Sequence, residues 1–344
     1  MSRLSNLISA YKKSDGIYHA TLYWNTYEQE ILETINKIDI NELRSGKYPI
    51  LATFGFNDVV YTYHPYMPLW KKITFKFIHK HLIKNRPILP YGLSLSSIRE
   101  MAYHHCELKA ELTGSVPISD IGISDFGNPA DLFEVNDKKY TISFLDYYLR
   151  YCFANKHIDF NGEEIIVELG SGSGHQIEVL KKIYPKATIF CFDLPLQIYL
   201  CETYLSNALG EENIVSTSET QNWQSLEKYK KGCVHFLGNW QFPLLKNFKF
   251  DVFWNAASFG EMEPEVVKHY LSYIKDQADW VYLLQARHGK ETAGITHVRK
   301  SIAFDDYREY LSGYALHGEE DVYQSVQRLS ASGGYFEAIW KKMS

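Results

Sequence analysis

The sequence lacks the marks of a secreted, membrane-spanning or nucleic-acid-coating chain. It has only 5 cysteines in 344 residues, at Cys106, Cys152, Cys191, Cys201 and Cys233. Their number is odd, they lie far apart, and no Cys-x-x-Cys occurs. That argues against a disulfide framework or a zinc site and fits a reducing compartment. No stretch approaches the roughly 20 apolar residues of a membrane helix. Met1 to Tyr11 has neither the basic start nor the apolar run of a signal peptide, so a cytoplasmic location without membrane insertion is expected. Basic excess is absent as well: 36 Lys and Arg stand against 41 Asp and Glu, a net charge of −5. Nucleic-acid binders neutralise phosphates with surplus cations, so a nucleic-acid partner is disfavoured. Repeats and low-complexity segments are missing too.

What the chain has in excess is aromatic: 26 Tyr, 19 Phe and 7 Trp, 15% of all residues. One reading is an aromatic ligand surface. The plainer reading is a dense core and an AT-rich genome, which also favours Lys, 27 of the 36 basic residues. With 45% hydrophobic and 22% charged residues, the composition is that of an ordinary soluble globular protein. The length suggests two domains.

The character of the sequence changes near Asn161-Gly162. Residues 1–160 read as a mainly helical domain that caps a substrate. Helices are expected over Thr26–Ile38, Leu69–Lys84 and Ile142–Ala154. Another starts with a Ser97-x-x-Glu100 capping box and places Ile98, Met101, His105, Leu108 and Leu112 on one stripe. The polar stretch Thr113 to Lys139, with Gly127-Asn128-Pro129, reads as a long loop of the kind that often carries function. Residues 161–344 alternate. Strands at Glu164–Leu169, Ala187–Phe192, Val234–Leu237, Asp251–Asn255 and Trp280–Gln285 are interleaved with helices at His175–Tyr184, Gln197–Leu209 and from Pro264 to about Asp276. Such alternation implies an α/β fold, a parallel sheet with helices on both faces. Ala303–Leu311 reads as a further helix, and Tyr335–Lys341 as a final edge or antiparallel strand.

The chemistry lies in Ile165-Ile166-Val167-Glu168-Leu169-Gly170-Ser171-Gly172-Ser173-Gly174. A buried strand runs into three alternating glycines and then a helix, so the backbone can approach a ligand closely. A dinucleotide fingerprint needs glycine three residues after the second one, where this chain has His175 or Ile177 depending on register. A phosphate loop needs Gly-Lys-Ser/Thr, which is also missing. What remains is an acid, a spacer and Gly-x-Gly-x-Gly, with Asp193 ending the next strand. The bland alternative is that Glu168 and Asp193 cap helices and the glycines make tight turns.

This pattern resembles the first motif of class I S-adenosylmethionine-dependent methyltransferases. The resemblance implies a Rossmann-like sheet and S-adenosylmethionine as cofactor. It assigns Glu168, Gly170, Ser171, Gly172 and Gly174 to the cofactor loop, and Asp193 to the ribose hydroxyls, with Leu194 beside it in Asp-Leu-Pro. Asn239 and Trp240 would surround the adenine, and Asn255 and Ala256 would wall the methionine end. Asn239 departs from the acid often found at its position. The stretch from Leu112 to Arg287 is also similar to the sugar O-methyltransferase family of surface-polysaccharide and glycosylated-antibiotic gene clusters. It carries Gly127-Asn128-Pro129, Asp193-Leu194-Pro195, Asn255 to Met262, and His269-Tyr270-Leu271. The implied acceptor is a sugar or glycan hydroxyl.

A sugar hydroxyl needs a base or a metal to take its proton. The bases in view are Glu261 and His288, with Met262, Arg287, Asn128 and Tyr147 as acceptor contacts. Tyr140, Tyr147 and Tyr151 close over the cleft or, more plainly, pack a helix. Helix capping would explain Glu261, and a solvent-exposed loop His288. A divalent ion on Asp251, Asn255, Glu261 and Glu263 is the competing route, but no ligand spacing demands a metal. Two rival functions stay open. The Lys71, Lys72, Phe75, Lys76, Phe77, Lys80, Lys84 and Arg86 stretch would suit RNA, although a solvated helix face explains it as well. A scaffold that binds cofactor without catalysis is the other. A homodimer is left open.

Overall fold

The computed structural model describes residues 3–56, 95–294, 297–322 and 334–343. The expected helix at Leu69–Lys84, the Lys71 to Arg86 stretch and the side chains of Ser97 and Ile98 lie outside the described residues. In chain order the helices are α1 (Arg3–Lys12), α2 (Leu22–Ile35), α3 (Leu95–Thr113), α4 (Ile142–His157), α5 (His175–Ile183), α6 (Pro195–Leu209), α7 (Thr217–Thr220), α8 (Pro264–Ile274) and α9 (Phe304–Tyr310). The strands are β1 (Phe133–Val135), β2 (Lys138–Tyr140), β3 (Ile165–Leu169), β4 (Thr188–Asp193), β5 (Ile214–Val215), β6 (Val234–Gly238), β7 (Phe250–Ala256), β8 (Ala278–Ala286), β9 (Tyr314–Asp321) and β10 (Tyr335–Lys342).

Packing separates the chain into two units, and not by a single cut near residue 160. Met1–Glu33 groups with His157–Val322 and Gly334–Ser344, while Thr34–Lys156 forms the other unit. The first unit is built on a sheet of order β5-β6-β4-β3-β7-β8-β10-β9. Pairing is parallel from β5 through β8, and β10 runs antiparallel between β8 and β9. Tyr335–Lys342 is therefore an interior strand, and β9, which the sequence reading omits, is the edge. Its apolar residues stop at Leu316, and its burial merely alternates. The chain moves outward in one direction from β3 to β4 and in the other from β7 to β8. Right-handed crossovers then put helices on opposite faces, with the order reversing between β3 and β7. β3, β4 and β6 are almost wholly buried, as strands covered on both faces must be. A brace ties this sheet together at its other end: Lys181 Nζ donates to the carbonyls of Ala187 at 2.8 Å and Gly232 at 2.7 Å.

In the second unit the stretch Thr113 to Lys139 is not a plain loop. It contains the β1–β2 hairpin, turned by Asn136 and Asp137 at φ of 49° and 63°. Its Gly127 segment wraps the buried Arg44, whose Nη1 donates to Ser124 O at 2.6 Å and Phe126 O at 3.2 Å. The expected apolar stripe on α3 also differs: Met101, Leu108 and Leu112 are 53%, 52% and 71% exposed. The buried face carries Ala102, Tyr103, Cys106 and Ala110 instead. Small side chains at i, i+4 and i+8 let that face pack closely, and Cys106 Sγ reaches Leu145 O at 3.6 Å. Tyr140 and Tyr151 are buried and bonded to backbone, in keeping with a packing role.

Gly174 caps the start of α5 and packs against α6. Its φ is 82°, and a Cβ there would lie 2.8 Å from Leu205 Cδ1. Gly174→Ala is expected to destabilise the protein by about 2–4 kcal/mol, from backbone strain plus overpacking. Chemical denaturation checks this, and an unchanged midpoint would contradict it.

Candidate active site

The site is assembled at the carboxyl ends of β3, β4, β6 and β7, where the strand order reverses. β3 ends in the glycine loop, and Gly170 N donates to Phe192 O at 2.8 Å, locking the loop to β4. Gly170, Gly172 and Gly174 all have positive φ, at 80°, 54° and 82°. A side chain on Gly170 would overlap Ser258, so the first glycine admits the loop after β7. Asp193, at the end of β4, reaches across: its Oδ2 accepts from Gly172 N at 2.8 Å and its Oδ1 from Leu194 N at 2.8 Å. Burial pushes this carboxyl up to about 6, against the pull of those two amides. Glu168 is buried on β3 in register with Cys191. Ser171 Oγ is buried without a hydrogen bond.

At the end of β6, Asn239 Nδ2 donates to Tyr18 O at 2.6 Å and Tyr270 Oη at 2.9 Å. Its Oδ1 is buried and accepts nothing, so an acceptor is held ready there. Trp240 folds over Gly238 so closely that a Cβ on that glycine would overlap the indole. The ring of Tyr11 lies 5.7 Å from Trp240. Tyr18 Oη in turn meets His269 Nε2 at 2.9 Å. The sequence reading missed this contribution of the N-terminal segment. Nothing in the local pattern of Tyr11 or Tyr18 marks a contact more than 200 residues away.

After β7 the chain turns through Ala257, a non-glycine residue at φ 62°. Such a conformation costs roughly 1–3 kcal/mol. Ala257 N holds it by donating to Leu284 O at 2.7 Å. Asn255 is buried and fully engaged. Its Nδ2 donates to Leu169 O at 2.7 Å and Ser258 Oγ at 2.6 Å, and its Oδ1 accepts from Gln285 Nε2 at 2.6 Å. It braces the glycine loop and offers no spare group to a ligand. Ala256 is half-buried at the mouth of this turn.

The turn delivers Glu261. Burial pushes its carboxyl up to about 7, although the Lys290 ammonium and the Trp24 side chain pull the other way. Lys290 Nζ stands 3.5 Å from Glu261 Oε1. It also lies 5.8 Å from the ring centres of both Tyr23 and Tyr335. Burial would lower the Lys290 ammonium, but Glu261, Tyr335 and Tyr23 outweigh it and hold the group above its ordinary value. Thr21 Oγ1 donates to Glu261 O at 2.7 Å. Lys290, Tyr23 and Trp24 are site residues that the sequence reading did not single out.

Other expected residues are placed differently. His288 is exposed, and the same loop turns Lys290 toward Glu261. Arg287 pairs with Glu319 and Asp321, each at 2.6 Å, and its guanidinium lies 5.3 Å from the Phe304 ring. Those partners tie it to the sheet edge. Met262 is half-buried against the core. Asn128 and Tyr147 belong to the other unit, where Asn128 Nδ2 is 3.2 Å from Glu42 Oε2 and Arg150 lies 4.3 Å from the Tyr147 ring. The residues weighed for a metal are likewise engaged. Asp251 Oδ2 accepts from Ile165 N at 2.7 Å, and Glu263 accepts from Arg299 N at 2.9 Å and Lys300 N at 3.2 Å. Among the described residues no group of three His, Cys, Asp or Glu could hold a metal, and no helix is long and apolar enough to cross a membrane.

No family model matches the chain, and no curated protein matches it. Solved structures do. One is a SAM-dependent methyltransferase from Aquifex aeolicus, 14% identical, with 59% of this chain on 93% of that one and a TM-score of 0.40. A second is the O-methyltransferase NcsB1 from neocarzinostatin biosynthesis, 12% identical, with 59% of this chain on 57% of that one and a TM-score of 0.38. A third is DhpI in complex with SAH, 11% identical, with 73% of this chain on 98% of that one and a TM-score of 0.36.

Lys290 pairs with Glu261 and pulls its carboxyl down, so its removal has a definite sign. In Lys290→Gln the Glu261 carboxyl is expected to titrate above about 7, higher by roughly 1 pH unit. Carbon NMR of glutamate side chains checks this. A midpoint that stays put or falls would contradict the pairing.

Proposed function

We propose that the chain is an S-adenosylmethionine-dependent O-methyltransferase that acts on a sugar hydroxyl, with Glu261 as general base. The observation that carries the reading is the glycine loop bonded to Asp193 at the reversal of strand order, because open α/β sheets bind their ligands there. The residues fit the cofactor on their own terms. Gly170, Gly172 and Gly174 take the positive φ that bends the loop back toward β4, and Asp193 is a carboxylate beside the loop, able to accept from ribose hydroxyls. The unpartnered Oδ1 of Asn239 suits an exocyclic amine, which resolves the absence of an acid at that position. Trp240 supplies a flat apolar wall.

The bound sulfonium supplies an electrophilic methyl group. The protein supplies the rest. Glu261, at about 7, is poised to take the acceptor hydroxyl's proton near neutrality, because a base works best when its pKa lies near the working pH. With the cofactor bound, its methyl would pass to that oxygen with loss of the thioether, while Glu261 holds the hydroxyl's proton and releases it to solvent. Lys290 keeps Glu261 ionised for the next turnover. Burial around Glu261 keeps water from competing. Glu261 carries this role in preference to His288, which is exposed. The sugar assignment is supported by the resemblance of Gly127-Asn128-Pro129 and Asn255 to Met262.

Transfer of labelled methyl from S-adenosylmethionine to a panel of nucleotide sugars and glycans tests the reading. Turnover is expected to rise with pH through about 7 as Glu261 ionises. Glu261→Gln is expected to lower kcat by about 10²–10⁴-fold with cofactor affinity unchanged. Wild-type turnover in Glu261→Gln would overturn the base assignment. Transfer to phenols alone would overturn the sugar.

A further inference from the structure

The first turns of α2 carry a cluster of aromatic rings beside the site. Tyr23, Trp24 and Tyr27 are each half-buried. None of them is part of the hydrophobic cluster that packs on the sheet. The buried position of α2 within this unit is Ile31, one turn further on. Residues three and four apart share a helix face, so Tyr23 and Trp24 both meet Tyr27. The ring centres lie 5.6 Å apart for Tyr23 and Trp24, 5.9 Å for Tyr23 and Tyr27, and 6.0 Å for Trp24 and Tyr27.

The cluster is continuous with the site. Trp24 bonds to the Glu261 side chain, and Tyr23 lies against Lys290. Tyr27 follows one turn further along α2 and meets both rings. The rings meet at 71°, 64° and 61°. They form a ridged wall of faces and edges, with no broad flat slab for a planar ligand. A puckered ring that presents axial C–H bonds suits such a wall, since polarised C–H hydrogens are attracted to the negative faces of aromatic rings. The adjoining Glu261–Lys290 pair offers an acceptor and donors for hydroxyls, which a purely apolar ligand would leave desolvated.

We infer that Tyr23, Trp24 and Tyr27 form the acceptor subsite, and that it takes a pyranose ring stacked on this wall with one hydroxyl directed to Glu261. This rests on the proposed methyl transfer for the role of Glu261, but its occupant can be tested without turnover. The full chain is examined by saturation-transfer NMR with methyl glucopyranoside, methyl galactopyranoside and methyl mannopyranoside, and with catechol as the planar probe. At least one pyranoside is expected to show saturable transfer, strongest at the C–H protons of one ring face. Tyr27→Ala should weaken that binding ten-fold or more, while Tyr27→Phe, which keeps the ring, should retain it. Affinity for S-adenosylmethionine should be the same in both variants and the parent, which shows that each variant is folded and that the cofactor reading stands by itself. No pyranoside binding, or binding that Tyr27→Ala leaves intact, would overturn the subsite. Catechol binding that depends on Tyr27, with no pyranoside binding, would overturn the sugar as its occupant.

Discussion

One buried amide holds the site in shape. Asn255 donates to the last carbonyl of β3 and to Ser258, and it accepts from Gln285 on β8. Three segments that are far apart in sequence are thereby fixed at one point. The glycine loop cannot shift without breaking the bond to Leu169 O. The strained turn at Ala257 cannot relax without losing Ser258 from its place over Gly170. In a dry interior each of these bonds is costly to leave unmade, so the arrangement is close to all-or-none. Glu261 inherits its position from this brace, because Phe259–Glu261 follows directly and Gly260 N donates to the same Gln285 side chain at 3.0 Å.

The brace brings two carboxylates to one end of the sheet under different conditions. Asp193 keeps two backbone donors and is raised to about 6, while Glu261 has a lysine instead and is raised to about 7. The Asp193 charge adds a minor upward push to Glu261, whose shift comes mainly from burial. Above about 7 both are ionised, and between the two values the more polar of the pair carries its charge alone. The separation suits the roles proposed above, one acid for the ribose hydroxyls and the other for the acceptor's proton.

Much of the sheet was legible because its signals are local. Buried strands such as Ile165–Leu169 and Thr188–Asp193 show as apolar runs, and the three alternating glycines show where the backbone takes positive φ. Other features were hidden because they depend on distant partners. Asn239 reads as a ligand residue, yet its amide nitrogen is spent on Tyr18 and Tyr270, and only its oxygen remains. The segment Met1–Glu33 reads as part of a separate domain, but its tyrosines, Thr21 and Trp24 serve the sheet unit. Lys290 escaped notice because the nearby His288 carries the more familiar acid–base chemistry. The α3 stripe misled for another reason: periodicity marks apolar residues, whereas the close contact was made by alanines and Cys106.

The central claim is that the loop and Asp193 bind S-adenosylmethionine. Calorimetric titration of the full chain, repeated from pH 8 to pH 5, tests it most directly. The account predicts one site per chain, with affinity that holds above about 6 and weakens below it as Asp193 is protonated and loses an acceptor for the ribose. Absence of binding at pH 8, or binding of undiminished strength in Asp193→Ala, would contradict it.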